Sequence, residues 1–156
     1  MNPFTFLRFS DCFSLVYITK AFALSYLPTL FLSLIVAVIV RVEEPTFDHI
    51  GPELLLPSLV IIGPMIETLI MWPIIFILEK IRNNYFFVVI TSALLWAAFH
   101  SLQTPTWGFF IFWPFIIFSS TMYIGRKTDK SKALFATCAI HALHNFPSAL
   151  ALMVDV

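Results

Sequence analysis

The amino-acid sequence predicts an all-α membrane protein, a polytopic bundle of about five transmembrane helices preceded by an N-terminal interfacial helix. Composition is the first observation, because the 156-residue chain is 60% hydrophobic and 12% charged, with a mean hydropathy of +0.92. Soluble domains are much less apolar. The second observation is that the apolar residues form runs long enough to cross a hydrocarbon core of about 30 Å. A chain this short lacks the volume to bury such runs in a soluble core.

The apolar runs and the breaks between them predict the order of elements. Residues 1–20 mix aromatic side chains with scattered charges, which is typical of a segment lying in the membrane interface. A solvated acidic loop is expected at residues 41–57, and Gly63-Pro64 predicts a kink in the helix that follows. The spans of the single membrane domain are predicted at residues 21–40, 58–78, 85–102, 107–124 and 133–154.

The distribution of basic residues predicts the orientation. If the spans alternate in direction, eight of the nine lysines and arginines fall on the side of the N-terminus, and Arg41 falls on the other. The positive-inside rule then places the N-terminus in the cytoplasm and the C-terminus outside, with the cell membrane (plasma or inner) as the expected location. Lipid is the expected surrounding, and zero net charge offers no electrostatic basis for nucleic-acid binding.

Polar residues interrupt three of the predicted spans, and four of them are the candidate site residues: Glu67, His100, His141 and Asn145. Ionisable side chains are costly within a membrane, by about 2.5–3.5 kcal/mol for a charged residue on insertion scales, and usually mark a functional site. Counting about 1.5 Å per residue places all four in one layer of the bilayer. His141 and Asn145 are four residues apart and therefore share a helix face. The sequence predicts that these groups converge.

Three short motifs resemble those of the CAAX prenyl protease and bacteriocin-processing (CPBP) family of intramembrane endopeptidases. That family carries E-E-x-x-x-R, F-x-x-x-H and H-x-x-x-N on separate spans. The corresponding segments here are ETLIMW at residues 67–72, WAAFH at 96–100 and HALHN at 141–145. Their order, internal spacing and placement on apolar helices agree with the family pattern, so the chain looks like a diverged, minimal member.

Three positions depart from the motifs. Thr68 stands where the family has its second Glu, Trp72 stands where it has Arg, and Trp96 replaces Phe with another aromatic residue. The only paired glutamates, Glu43-Glu44, lie in the acidic loop, where Asp48 stands at the position of the motif's Arg and Pro45 disfavours a helix. They are also expected to be solvated, whereas buried sites are the ones that alter acid and base strength.

The resemblance implies that the four matching residues are catalytic. Glu67 suits a general base that activates water, and His100 suits a group that orients this water. His141 and Asn145 are then expected to donate hydrogen bonds to the oxyanion of the tetrahedral intermediate. Neighbouring residues expected to support the site are Thr68, Trp96 and His144.

We expect hydrolysis to need no cofactor, and a zinc-dependent reaction is the alternative. Two histidines and one glutamate form a known zinc ligand set, which Glu67, His100 and His141 would supply. However, the chain lacks the H-E-x-x-H motif of zinc proteases.

The favoured function is therefore an intramembrane endopeptidase that acts on a membrane-associated peptide or protein. Two alternatives stay open at this point. The losses at Thr68 and Trp72 favour a non-catalytic relative that binds membrane peptides, as an immunity protein would. A small proton-coupled transporter would also account for Glu and His residues within the spans.

Overall fold

The structure is a computed structural model that describes residues 14–39, 47 and 50–154. These residues form helices and connecting turns without a β-strand, which confirms the all-α fold class. A π-helical turn, Ser58–Ile62, joins the helices Pro52–Pro57 and Gly63–Ile81 into one continuous helical segment. The helices are α1 (Leu15–Ile39), α2 (Pro52–Pro57), α3 (Gly63–Ile81), α4 (Tyr85–Ser101), α5 (Trp107–Gly125) and α6 (Lys130–Val154).

The helices form a membrane bundle, as the sequence predicted. Three segments of the described chain are long and apolar enough to cross a membrane: Leu15–Ile39, Glu53–Ile81 and Trp107–Gly125. Helix α4 is also apolar but has 17 residues. Helix α6 has 25 residues, and its two histidines and one asparagine lower its hydropathy. The protein is therefore an integral membrane protein.

Two predicted boundaries differ from the structure. Helix α1 begins at Leu15, so residues 15–20 belong to the first long helix rather than to the interfacial segment. Residues 52–57 are helical, although they were predicted as the end of a loop, because proline is tolerated in the first turn of a helix. Residues 1–13 of the predicted interfacial segment and most of the acidic loop, with Glu43-Glu44, lie outside the described residues.

Side-chain caps explain where two of the later helices begin. The Phe87 backbone N–H donates to the Asn84 side chain at 3.0 Å, which caps α4. The Lys132 N–H donates to Asp129 Oδ1 at 3.1 Å in the first turn of α6. Such caps satisfy backbone donors that have no partner within the helix. They help place these helices close to their predicted starts.

Helix α5 lies at the centre of the bundle and packs against α1, α3, α4 and α6. Most of α5 is buried, whereas α1 exposes most of its apolar side chains. Gly108 permits the close approach of α5 to α4, because a Cβ atom there would lie 2.2 Å from both the Ala97 carbonyl oxygen and Ser101 Oγ. Ala97 and Ser101 belong to the turn of α4 that carries His100, so α5 contacts α4 closely at this turn.

Hydrogen bonds between helices hold α1 against α5 and α6. In a regular helix the Leu24 carbonyl would accept from the N–H of residue 28, but Pro28 has none. Trp113 Nε1 of α5 donates to this carbonyl at 2.8 Å. A neighbouring helix thus satisfies a group that proline leaves without a backbone donor, as is common in membrane bundles.

An ion-pair network joins the ends of α3 and α5. Arg126 pairs with Glu79, and Lys127 Nζ lies 3.6 Å from the same carboxylate. Lys127 also donates to Tyr123 Oη at 2.9 Å, and Tyr123 Oη donates to Asn83 at 3.2 Å. The network therefore brings the two basic loops to the same side of the bundle.

Candidate active site

Glu67 lies in the second turn of α3, at the edge of the buried face of that helix. Its side chain is 24% exposed, but Oε2 is buried and has no hydrogen-bond partner among the described residues. The carboxylate therefore points inward while part of the side chain stays accessible from outside the bundle. The buried face repeats with helical spacing through Pro64, Thr68, Met71, Ile75 and Leu78.

His100 lies at the end of α4 with one ring nitrogen fixed by the backbone. Its Nδ1 is 2.9 Å from the Trp96 carbonyl oxygen, which only accepts hydrogen bonds, so Nδ1 carries the proton. In the neutral ring Nε2 then presents a lone pair. This Nε2 lies 3.9 Å from Glu67 Oε2. Trp107 packs edge-on against the ring, with centroids 4.7 Å apart.

His141 approaches the same carboxylate oxygen from α6. Its Nε2 lies 3.8 Å from Glu67 Oε2, and the residue is only 3% exposed. Phe118 stacks on the imidazole ring, with centroids 4.4 Å apart and an interplanar angle of 26°. The other ring nitrogen, Nδ1, is buried without a hydrogen-bond partner in the described part of the chain.

Three of the four residues singled out in the sequence therefore meet at one point. Glu67, His100 and His141 come from three different helices, and both imidazole Nε2 atoms face one carboxylate oxygen. The separations of 3.9 and 3.8 Å are too long for direct hydrogen bonds but fall in the range in which a water molecule bridges two polar groups. The chemical roles of these residues stay predictions.

Asn145 makes a hydrogen bond to the backbone of another helical segment. Its Nδ2 donates to the backbone carbonyl of Leu59, in the π-helical turn, at 3.0 Å. Within the described residues no hydrogen bond connects Asn145 to Glu67 or to either imidazole.

The residues expected to support the site occupy distinct environments. Trp96 is buried, stacks on Phe115 at 5.1 Å, and provides the carbonyl that binds His100. Thr68 is buried beside Glu67, and its hydroxyl has no hydrogen-bond partner in the described region. His144 Nδ1 lies 3.1 Å from Ser25 Oγ, so it connects α6 to α1 instead of facing the carboxylate.

Sequence analysis missed two aromatic residues of α5 that form one wall of the site. The Phe115 ring centroid lies 5.5 Å from that of His100 and 5.5 Å from that of His141. Phe118 lies between His141 and His144, at 4.4 and 5.7 Å. No sequence signal separates them from other phenylalanines of α5, such as the exposed Phe109.

The atoms able to hold a metal ion are Nε2 of both histidines and Oε2 of Glu67. Ligands that bind one zinc ion tetrahedrally at about 2.0–2.1 Å lie about 3.3 Å from each other. The observed separations of 3.8 and 3.9 Å are wider, and no group of three His, Cys, Asp or Glu residues in the described chain has metal-binding geometry. Zinc would require these side chains to move inward.

Comparison with known proteins identifies the family. A family model described as type II CAAX prenyl endopeptidase Rce1-like matches residues 50–147, which is more than half of the chain. The matched range includes all three motifs, so it agrees with the resemblance to CPBP proteases. No curated protein and no solved structure gives a significant match. The family is one of membrane endopeptidases that act on peptide or protein substrates, and this chain belongs to it.

Proposed function

We propose that this protein is an intramembrane endopeptidase that hydrolyses a peptide bond of a membrane-associated substrate, with Glu67 as the general base. The observation that carries the proposal is the pair of imidazole Nε2 atoms, from His100 and His141, facing one oxygen of Glu67 at 3.9 and 3.8 Å. Family membership supports proteolysis in general. The assignment of individual roles rests on the geometry of these three side chains.

The reaction begins with a water molecule between Glu67 and the imidazoles. Glu67 takes a proton from this water as its oxygen attacks the substrate carbonyl carbon. The Nε2 lone pair of His100 accepts the second hydrogen bond of the water, because Nδ1 of that ring donates to the Trp96 carbonyl. When the tetrahedral intermediate collapses, the C–N bond breaks and the proton held by Glu67 passes to the leaving amine.

His141 stabilises the oxyanion in this scheme. A proton on its Nε2 would point towards the space beside Glu67 Oε2, where the carbonyl oxygen of the substrate gains charge. Preorganised donors of this kind contribute about 2.7–4 kcal/mol to transition-state stabilisation. Phe115 and Phe118 keep the imidazole in place and hold water away from its other face.

We propose that the reaction needs no metal ion. Both imidazoles and the carboxylate have roles that require only proton transfer and hydrogen bonding, and their spacing is wider than that of tetrahedral zinc ligands. If zinc does bind, the ligands would be Glu67, His100 and His141, and the metal would polarise the substrate carbonyl or activate water.

The proposed location is the cell membrane, with the N-terminus in the cytoplasm and the C-terminus outside. The pairing of Glu79 with Arg126 supports this arrangement, because it holds the basic loops after α3 and α5 on one side of the bundle. The positive-inside rule assigns that side to the cytoplasm.

Cleavage of membrane-anchored peptides by the purified chain in lipid nanodiscs tests the proposal. The peptide panel includes prenylated and unprenylated members, and the test variant is Glu67→Gln. The matched control is Glu53→Gln, which alters an exposed glutamate in the first turn of α2. We expect Glu67→Gln to lower kcat by at least about 100-fold and Glu53→Gln to leave it unchanged.

Equal cleavage by wild type and Glu67→Gln would exclude the proposed base. Peptide binding without cleavage by the wild type would instead indicate the non-catalytic alternative. Proton-coupled uptake into liposomes that Glu67→Gln abolishes would indicate transport.

A further inference from the structure

We infer that Asn145 is a positioning residue, which sets the place of Glu67 by anchoring the backbone at the start of its helix to α6. The inference rests on the proposed function of Glu67. Asn145 donates to the Leu59 carbonyl at 3.0 Å, so it fixes the main chain of the π-helical turn. This role differs from direct contact with the substrate oxyanion, which the motif alone implied.

The Leu59 carbonyl needs this donor because the helix itself offers no backbone N–H at the position that would donate to it. In the π-helical turn the Gly63 N–H donates to the Ser58 carbonyl, one residue further back than in an α-helix. The next N–H in that register would come from residue 64 and would serve Leu59. Residue 64 is proline and has no N–H. The Asn145 amide therefore replaces a backbone donor that Pro64 removes.

Asn145 and His141 together define the register between α6 and the segment that carries Glu67. His141 faces Glu67. Asn145 lies one turn after His141 on α6, and it donates a hydrogen bond to Leu59, which lies about two turns before Glu67. Sequence numbers rise along one helix as they fall along the other, so the two contacts follow an antiparallel pair. With the backbone anchored at Leu59, the helix is less free to slide or rotate beneath Glu67.

The surface beside this contact is apolar. An apolar groove separates the π-helical turn and the start of α3 from α6. Apolar side chains pack without directional bonds, and in a membrane they gain little from leaving lipid, so a polar contact has a large share in fixing the spacing of two helices. The groove is lined by Val60, Ile61, Met65, Phe135, Cys138, Ala139 and Ala142.

Spin labels across the groove measure this spacing directly in the full chain in nanodiscs. Labels at Ile61→Cys and Phe135→Cys lie on exposed positions, 62% and 69% accessible, after Cys12 and Cys138 are replaced by alanine. We expect a narrow distance distribution in the labelled parent protein. Asn145→Ala should broaden or shift it and lower kcat by about 10- to 100-fold, because small displacements of catalytic groups have effects of that size. KM should change by less than about threefold.

A second variant separates positioning from folding. In Asn145→Ala/Pro64→Ala the new N–H at residue 64 gives the π-helical turn a backbone donor, so the Leu59 carbonyl again has a hydrogen-bond partner. We expect the unfolding temperature to recover, while kcat stays low and the distance distribution stays broad. Pro64→Ala alone is the control, and it should keep the parent distribution because a carbonyl accepts two hydrogen bonds.

Two results would overturn the inference. An unchanged distance distribution in Asn145→Ala would assign any loss of activity to contact with the substrate. Recovery of kcat together with stability in the double variant would assign Asn145 a merely structural role. Glu67→Gln should keep the narrow distribution. If the wild type cleaves no peptide, the proposed function fails, and the distance distributions alone decide whether Asn145 sets the spacing.

Discussion

His141 Nε2 lies 3.8 Å from Oε2 of Glu67, although the two residues belong to different helices far apart in sequence. The same oxygen lies 3.9 Å from Nε2 of His100. Side chains from three helices thus meet around one carboxylate oxygen. Groups that act on one reacting centre in this way are expected to depend on each other, and their effects on catalysis should not add.

The double variant Glu67→Gln/His141→Ala should therefore be scarcely worse than the poorer of the two single variants. Each single change is expected to lower kcat by about 100- to 1,000-fold, since each removes one part of a shared reaction. Independent action would instead multiply the two losses. Single-turnover cleavage of a membrane-anchored peptide measures the difference, and a product of the two effects would show that the residues act separately.

Chelation of divalent metal ions should leave peptide cleavage within about twofold of its untreated rate. The reason is that both imidazole Nε2 atoms lie farther from Glu67 Oε2 than the roughly 3.3 Å typical of tetrahedral zinc ligands. The measurement compares activity before and after dialysis against a chelator, with metal content determined on the same samples. Loss of activity that one equivalent of zinc restores would contradict this prediction.

Gly108→Ala should destabilise the bundle by about 1–3 kcal/mol and lower peptide cleavage. Its Cβ would lie 2.2 Å from the Ala97 carbonyl oxygen and Ser101 Oγ, so α4 must shift at the turn that carries His100. Thermal unfolding and cleavage rates measure the two effects. Adding Ser101→Ala should relieve only part of the loss, because the Ala97 backbone stays in place; full recovery would show that the hydroxyl alone caused the clash.

Trp113→Phe should destabilise the protein by up to about 1–3 kcal/mol, the cost of leaving a buried carbonyl without a partner, because the Leu24 carbonyl is partly buried. The Leu24 carbonyl would then lose the donor that compensates for Pro28. In a Pro28→Ala background the same change should cost less, because residue 28 regains its N–H. Unfolding in detergent gives both values, and equal costs in the two backgrounds would argue against compensation.

Glu79→Gln should also destabilise the bundle by about 1–3 kcal/mol, since it leaves the charge of Arg126 without its partner. The Arg126 side chain is only 9% exposed, and burial lowers the pKa of its guanidinium. Arginine nevertheless stays charged in proteins near neutral pH. Lys80→Gln is the control, because Lys80 is an exposed neighbour on the same turn. Unfolding midpoints of the two variants should differ; similar midpoints would indicate that solvent compensates for the lost pair.

The sequence alone determined the fold class, the bounds of the later helices and the three motifs. Hydropathy and turn signals are local properties, so α4, α5 and α6 lie close to their predicted ranges. The two differences in helix placement concern residues 15–20, which were predicted to lie in the interface, and residues 52–57, where proline and glycine suggested a loop. Local residue types do not distinguish a proline that ends a loop from one that begins a helix.

Tertiary structure decided how the helices rotate against each other. Helix α5 is apolar on every side, so its sequence does not show that Phe115 and Phe118 face the imidazoles while Phe109 faces outward. The same applies to Asn145, whose partner is a backbone carbonyl that only the combination of a π-helical turn and Pro64 leaves without a donor. The periodicity of a helix determines which of its residues share a face, but the packing of several helices determines which residues of the other helices that face contacts.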